Sequence, residues 1–189
     1  MKKLISILSL LILINACQPI EKIEQVVFDN NQLSKFNIHS EKIEIIDLYE
    51  NKFSDPYIGY SLKISPSQRI INWVKDNFNA VGNENKFSVI ILEASLTQNQ
   101  FKNSEAKNFN EKNNYKYELF YLVEFNLYDD SNNLIASTLV EASRSTTSAV
   151  YISIQQRERI INDLISQSLF DLSNQSNELI IKYMGKFIL

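Results

Sequence analysis

Glycine is scarce in these 189 residues: Gly59, Gly82 and Gly185 are the only three. Phosphate-cradling loops such as GxGxxG or GxxxxGKS need glycines a few positions apart, and these three are too scattered to build either. Cysteine occurs once, as Cys17, so the chain closes no disulfide on itself and holds no cysteine metal site. Histidine also occurs once. His39 lies in a polar stretch, where it reads as an ordinary surface residue, and one histidine is a poor basis for a metal site. A basic excess is missing too: 19 Lys and Arg stand against 22 Asp and Glu. Nucleic-acid binders display a basic patch, so nucleic acid is not an expected partner. No internal repeat is present. The longest apolar run, Leu4 to Ile14, covers 11 residues, where a spanning helix needs about 20.

What is present begins with that run. Lys2 and Lys3 precede it, and Asn15-Ala16-Cys17 closes it. A basic start, an apolar middle and a small residue before the cut describe a secretory signal. With cysteine directly after the cut, the segment resembles a bacterial lipoprotein signal, whose lipobox reads roughly Leu-Ala-Gly-Cys. A lone free thiol in an oxidising compartment would be a liability, which favours this reading over an ordinary signal peptide. The resemblance implies cleavage before Cys17, a diacylglycerol thioether on its sulfur and an acylated amine. Stable anchoring takes about two lipid signals, and such a cysteine carries two or three palmitate-like chains. Gln18, rather than Asp, follows the cysteine; by the same resemblance this implies sorting to the outer membrane with the body facing the periplasm. Cleavage removes 16 residues of 189 and leaves 173, and 19 basic residues become 17 against 22 acidic, a net charge near −5. That is one domain of ordinary size. The expected division is residues 1–16 as signal peptide, 17–42 as lipidated cysteine and tether, and 43–189 as a single domain.

Residues 18–41 are polar with isolated apolar positions, which reads as a tether with room in it for a leading strand or short helix. Ile43 to Tyr49 alternates as a first strand. The following loop has an aromatic centre, Pro56-Tyr57-Ile58-Gly59-Tyr60. Ser65-Pro66 opens a helix, whose stripe Ile70, Trp73, Val74, Asn77, Phe78 and Val81 carries it over 66–81, with Gly82 placed as its C-terminal glycine. Phe87 to Thr97 is apolar on both faces, with Ile90, Leu92, Ala94 and Leu96 on one side and Phe87, Val89 and Ile91 on the other. This predicts a central strand. A long polar loop spans 99–114. Tyr115 to Tyr128 and Leu134 to Thr146 form a hairpin around Asp129-Asp130-Ser131-Asn132-Asn133. Ser153-Ile154-Gln155-Gln156 is a capping box that starts a helix running to about Phe187, with a bend expected over the polar patch 173–177. The order β-α-β-β-β-α predicts an α+β two-layer sandwich, a four-stranded mixed sheet covered by two helices.

Enzyme constellations are nearly absent. Glu93, Glu118, Glu124 and Glu141 sit mid-strand, where a paired-acid hydrolase site is conceivable; charges on the solvent side of a half-covered sheet are the commoner cause. No catalytic residue, metal ligand or cofactor is assigned. Ser143-Arg144-Ser145 and Arg157-Glu158-Arg159 bracket the start of the last helix. Arg144 has two readings: a stem that packs while its head reaches a helix end or a carboxylate, or, with Arg157 and Arg159, a site for an anion or lipid phosphate. Trp73 reads as core, and Tyr57 and Tyr60 as a contact surface for a partner. From Tyr115 through the last helix, and in its lipidated cysteine and size, the chain resembles the lipoprotein of lipopolysaccharide assembly that sits inside an outer-membrane barrel. In Pro66, Trp73, Gly82, Ser143-Arg144-Ser145 and Arg157-Glu158-Arg159 it is similar to small proteobacterial lipoproteins. Those resemblances imply a non-enzymatic accessory or binding subunit of envelope biogenesis or lipid transport, attached to the membrane by lipid and partnered by an envelope protein. The alternatives are a lipid- or glycan-binding module that uses the apolar end of the last helix with the three arginines, and a carboxylate-based hydrolase.

Overall fold

A computed structural model describes residues 28–102 and 113–189. The strands are β1 (Phe36–Ile38), β2 (Lys42–Asp47), β3 (Phe78–Ala80), β4 (Lys86–Lys102), β5 (Asn113–Tyr128) and β6 (Leu134–Ala149). The helices are α1 (Pro66–Asn77) and α2 (Ile154–Met184). The main sheet has the order β2-β4-β5-β6, with β2 parallel to β4 and the rest antiparallel. Both helices cover one face, giving the expected two-layer α+β sandwich with a four-stranded mixed sheet. The other face is bare among the described residues. Its β5 residues Lys116, Glu118, Phe120, Leu122 and Glu124 are half-buried, whereas Tyr117, Leu119, Tyr121, Val123 and Phe125 on the covered side are fully buried. This is the alternation that a sheet with one wet side requires.

Local chemistry accounts for most boundaries. The Ser65 hydroxyl accepts from the Gln68 amide at 3.1 Å, and Pro66 occupies the first turn of α1. On α2 the Ser153 hydroxyl accepts from Gln156 N at 3.1 Å, and the Gln156 side chain accepts from Ser153 N at 3.2 Å. At the β5–β6 turn the Asp129 carboxylate accepts from the amides of Ser131 and Asn133 at 2.9 and 2.8 Å, and Asn132 takes a φ of 62°, a region asparagine tolerates.

Several expectations change. Helix α1 stops at Asn77, and Phe78–Ala80, expected to be its last turn, form β3 beside β1. Asn77 turns its amide onto the carbonyls of Asn30 and Leu33 at 2.9 and 3.0 Å, and Phe78 drops into a ring cluster with Phe36, Trp73, Phe87 and Phe125. Gly82 therefore caps no helix. A Cβ there would stand 2.7 Å from His39 Cδ2 and 2.9 Å from Ser40 N, so close approach of two backbones is what excludes a side chain. In β4 a bulge between Ile91 and Glu93 shifts the register, so Ala94 and Leu96 join Phe87, Val89 and Ile91 on the covered side; the run was one buried face interrupted, not two buried faces. Strands β4 and β5 also reach to Lys102 and from Asn113, into the expected loop; residues 103–112 lie outside the described ones.

Helix α2 continues unbroken through 173–177. Ser173 and Ser176 are buried there, and Ser173 explains the polarity: its hydroxyl accepts from Ser34 N at 2.7 Å and its carbonyl accepts from the Ser34 hydroxyl at 3.2 Å. That clamp belongs to the lead-in segment. From Phe28 onward the segment read as tether carries β1, and Phe36 and Ile38 are in the core. The Trp73 indole donates to the Ser34 carbonyl at 3.3 Å. Residues after α2 fasten the same strand: His39 N donates to Phe187 O at 2.7 Å and Leu189 N to Asn37 O at 2.8 Å.

Candidate functional site

The arginines come first. Arg144 projects from β6 on the helix side, and its guanidinium makes a two-pronged pair with Asp171 of α2: Nη2 donates to Oδ1 at 2.9 Å, and Nε donates to Oδ2. The hydrogen bonds to Asp171 hold the Arg144 pKa above its usual value. A head reaching a carboxylate was one of its two readings, and this geometry is that one. Arg157, in the first turn of α2, donates to the Gln98 side chain of β4. Arg159 is exposed on the same turn. The apolar end of α2 lies elsewhere. Ile181, Tyr183 and Phe187 line a surface groove of about 520 Å³ with Ile135 of β6, flanked by Lys182 and Lys186. From Arg157 to Ile181 is roughly 36 Å along the helix at 1.5 Å per residue. Arg157 and Arg159 therefore stand far from the apolar end, whereas Arg144, held by Asp171, lies about 15 Å along the helix from Ile181.

Glu93, Glu118, Glu124 and Glu141 all point to the bare face of the sheet. Glu93 and Glu141 both lie opposite Leu122, one on each side, so their backbones stand about 10 Å apart at the usual strand spacing. Glu118 is bonded to Lys116 at 2.6 Å, and Glu124 accepts from Asn126 at 3.0 Å. Among the described residues no cluster of three or more His, Cys, Asp or Glu could hold a metal. His39 serves the turn after β1, where its ring lies against Gly82. Tyr121, fully buried, has its pKa pushed up by desolvation, and its hydroxyl faces the Pro66 carbonyl at 3.5 Å. Trp73 is core, as its place on the helix stripe implied.

The aromatic loop between β2 and α1 docks on the edge of β4 that β2 leaves free. Ile58 N donates to Leu96 O at 2.9 Å and Gln98 N to Pro56 O at 2.8 Å. Tyr57 is consequently half-buried, and its hydroxyl accepts from Lys52 Nζ at 3.1 Å, a bond that raises the Lys52 pKa. Tyr60 stays 46 % exposed and pairs with Phe53, which is 76 % exposed, at a ring separation of 5.5 Å. Sequence reading picked out Tyr60 and missed Phe53, which stands alone among polar neighbours. It also missed Arg69. That guanidinium lies 3.5 Å over the Phe28 ring, is half-buried, and its buried Nε has no bonding partner among the described residues; burial lowers its pKa. Arg69, Lys75, Asn72 and Asp76 line an open cavity of about 420 Å³ with Phe28 and Ile64. Cys17 lies outside the described residues.

Fold and surfaces together define an open-faced two-layer α+β domain with an acidic bare sheet and no assembled catalytic centre among its described residues. No family model matches the chain, and no curated protein matches it in sequence. Among solved structures it is similar to a minor lipoprotein from Acinetobacter baumannii, at 13% identity and a TM-score of 0.42, over 76% of this chain and 92% of that one. It is also similar to the rare lipoprotein B from Shewanella oneidensis, at 11% identity and a TM-score of 0.38, over 74% of this chain and 93% of that one.

Proposed function

We propose that this chain is a lipid-anchored, non-enzymatic accessory or binding subunit in envelope biogenesis or lipid transport, held at the outer membrane with its body in the periplasm. One observation carries the reading: Lys2-Lys3, the apolar run 4–14 and Ala16-Cys17 in sequence, with the folded body beginning by Phe28. The bare sheet face gives such a subunit a surface for an envelope protein. The dispersal of the four glutamates over that face, with the salt bridge at Glu118 and the amide on Glu124, supports binding over catalysis. Metabolic labelling with palmitate tests the anchor. Label on the wild-type chain and none on Cys17→Ala is expected; an unlabelled wild type, or a Cys17→Ala form that still fractionates with membranes, overturns it. Cross-linking of the tagged chain in its own membranes tests the partner, and a reproducible envelope protein is expected.

A second reading, a lipid- or glycan-binding module, has the groove of Ile135, Ile181, Tyr183 and Phe187 in its support. Lipid that co-purifies with the protein and is lost in Ile181→Asp would favour it.

A further inference from the structure

The side of the domain that carries Phe53, Tyr60 and the Arg69 cavity has the makings of a bilayer contact, and we propose that it rests on the membrane into which Cys17 is inserted. The inference depends on the lipid-anchor reading and adds an orientation to it. Phe53 and Tyr60 are 76 and 46 % exposed, and their rings stand 5.5 Å apart. A paired Phe and Tyr at the surface suits an interface, because one ring is apolar and the other carries a hydroxyl for the headgroup layer.

Chain length bounds where the anchor can be. Only residues 18–27 separate Cys17 from Phe28, so no conformation of them places the lipid more than about 40 Å from Phe28. Phe28 shares its cavity with Ile64, and Ile64 follows Tyr60 by four residues, a span of at most about 14 Å. The exposed rings therefore lie on the tether's side of the body.

Charge points the same way. Residues 48–69 carry Lys52, Lys63 and Arg69 against Glu50 and Asp55, and Lys75 stands in the cavity against Asp76. This side is slightly basic in a mature chain near −5. The bare sheet face sets Glu44, Glu93, Glu118, Glu124 and Glu141 against Lys42, Lys86 and Lys116, an acidic excess that anionic headgroups disfavour, whereas Lys52, Lys63, Arg69 and Lys75 would be drawn to their phosphates. Arg69 and Lys75 line the open cavity on this side, where a phosphate could approach them. The arrangement leaves the acidic face turned away from the lipid and free for a protein.

The test uses the lipidated full chain in vesicles of phosphatidylethanolamine with a minority of phosphatidylglycerol. Cys17 is blocked by its thioether, so a single new cysteine takes a spin label. Phe53→Cys and Tyr60→Cys probe the patch, and Ser145→Cys on the bare face is the reference. Flotation first reports anchoring: a chain that does not float with vesicles refutes the anchor and the orientation with it. In floated samples the ratio of oxygen to nickel-chelate collision rates is expected to be several-fold higher at 53 and 60 than at 145. Equal ratios at all three sites, in chains that float, overturn the orientation and leave the anchor standing. Unchanged Trp73 emission in each variant confirms the fold.

Discussion

Phe36→Ala asks whether the folded body begins at β1. The ring is 1 % exposed and sits 4.6 Å from that of Phe78, which in turn touches Trp73, Phe87 and Phe125. Its strand is held from several sides: β1 is pinned by β3, by the Ser34–Ser173 clamp and by Phe187 and Leu189. The site therefore cannot collapse to fill the void, and the cost falls in the upper part of the Phe→Ala range, about 4 kcal/mol. Against a total stability of roughly 5–15 kcal/mol that is a large share. With a urea slope of about 2 kcal/mol per molar, the midpoint drops by about 2 M. Urea unfolding followed by Trp73 fluorescence reads this directly, since Trp73 is the only tryptophan and lies 5.2 Å from Phe78. Phe53→Ala, at a ring 76 % exposed in the isolated protein, is the control and should move the midpoint by no more than about 0.25 M, the surface-substitution level of about 0.5 kcal/mol. Equal midpoints for the two variants would refute the reasoning and return residues 36–38 to the tether.

Three further outcomes follow from local geometry. Gly82→Ala forces a methyl against the His39 ring and the Ser40 amide, and should cost about 1–3 kcal/mol in the same urea assay; a neutral result would mean that the two backbones part freely. Ser153→Ala removes the hydroxyl half of the capping box and should lower stability by about 1 kcal/mol, with the loss of amide protection confined to the first turn of α2 in hydrogen exchange. At the β5–β6 turn, hydrogen bonds from the Asn133 side chain and from the Asn133 and Ser131 amides hold the Asp129 pKa below its ordinary 3.8. A depressed carboxyl stabilises the fold above the ordinary value, and that contribution disappears as pH falls through the lowered one; the Asn133 amide shift should report that transition, and Asp129→Asn should abolish it.

The sandwich was legible in the sequence because its parts are long and periodic. Tyr115 to Tyr128 shows its alternation over fourteen residues, and Ser153 to Phe187 shows its stripe over many turns. What escaped was set by pairing across the chain. A three-residue strand such as Phe36–Ile38 has no period to read, and it exists because Phe78–Ala80 lies beside it. Phe78 and Val81 fit the helical spacing of α1, so only the tertiary pull on Phe78 and the amide of Asn77 end that helix early. One bulge near Leu92 converts a single buried face into an apparent pair of them. For the site, alternation placed Glu118, Glu124 and Arg144 on their faces. Whether Arg144 met Asp171 or a ligand depended on helix placement, which no local pattern encodes. Arg69 was hidden for the same reason: its partner ring, Phe28, is 41 positions away.

The stitching of residues 37–39 to Phe187 and Leu189 has a consequence for how the body matures. A polypeptide threaded across a membrane from its first residue emerges with β1 about 150 positions ahead of the groups that lock it. Its first strand must wait, half secured, until translocation is almost done. A pull on the amino terminus would load the bonds at Asn30, Leu33 and Ser34 first, and this seam, next in line, holds the end of the chain to its beginning.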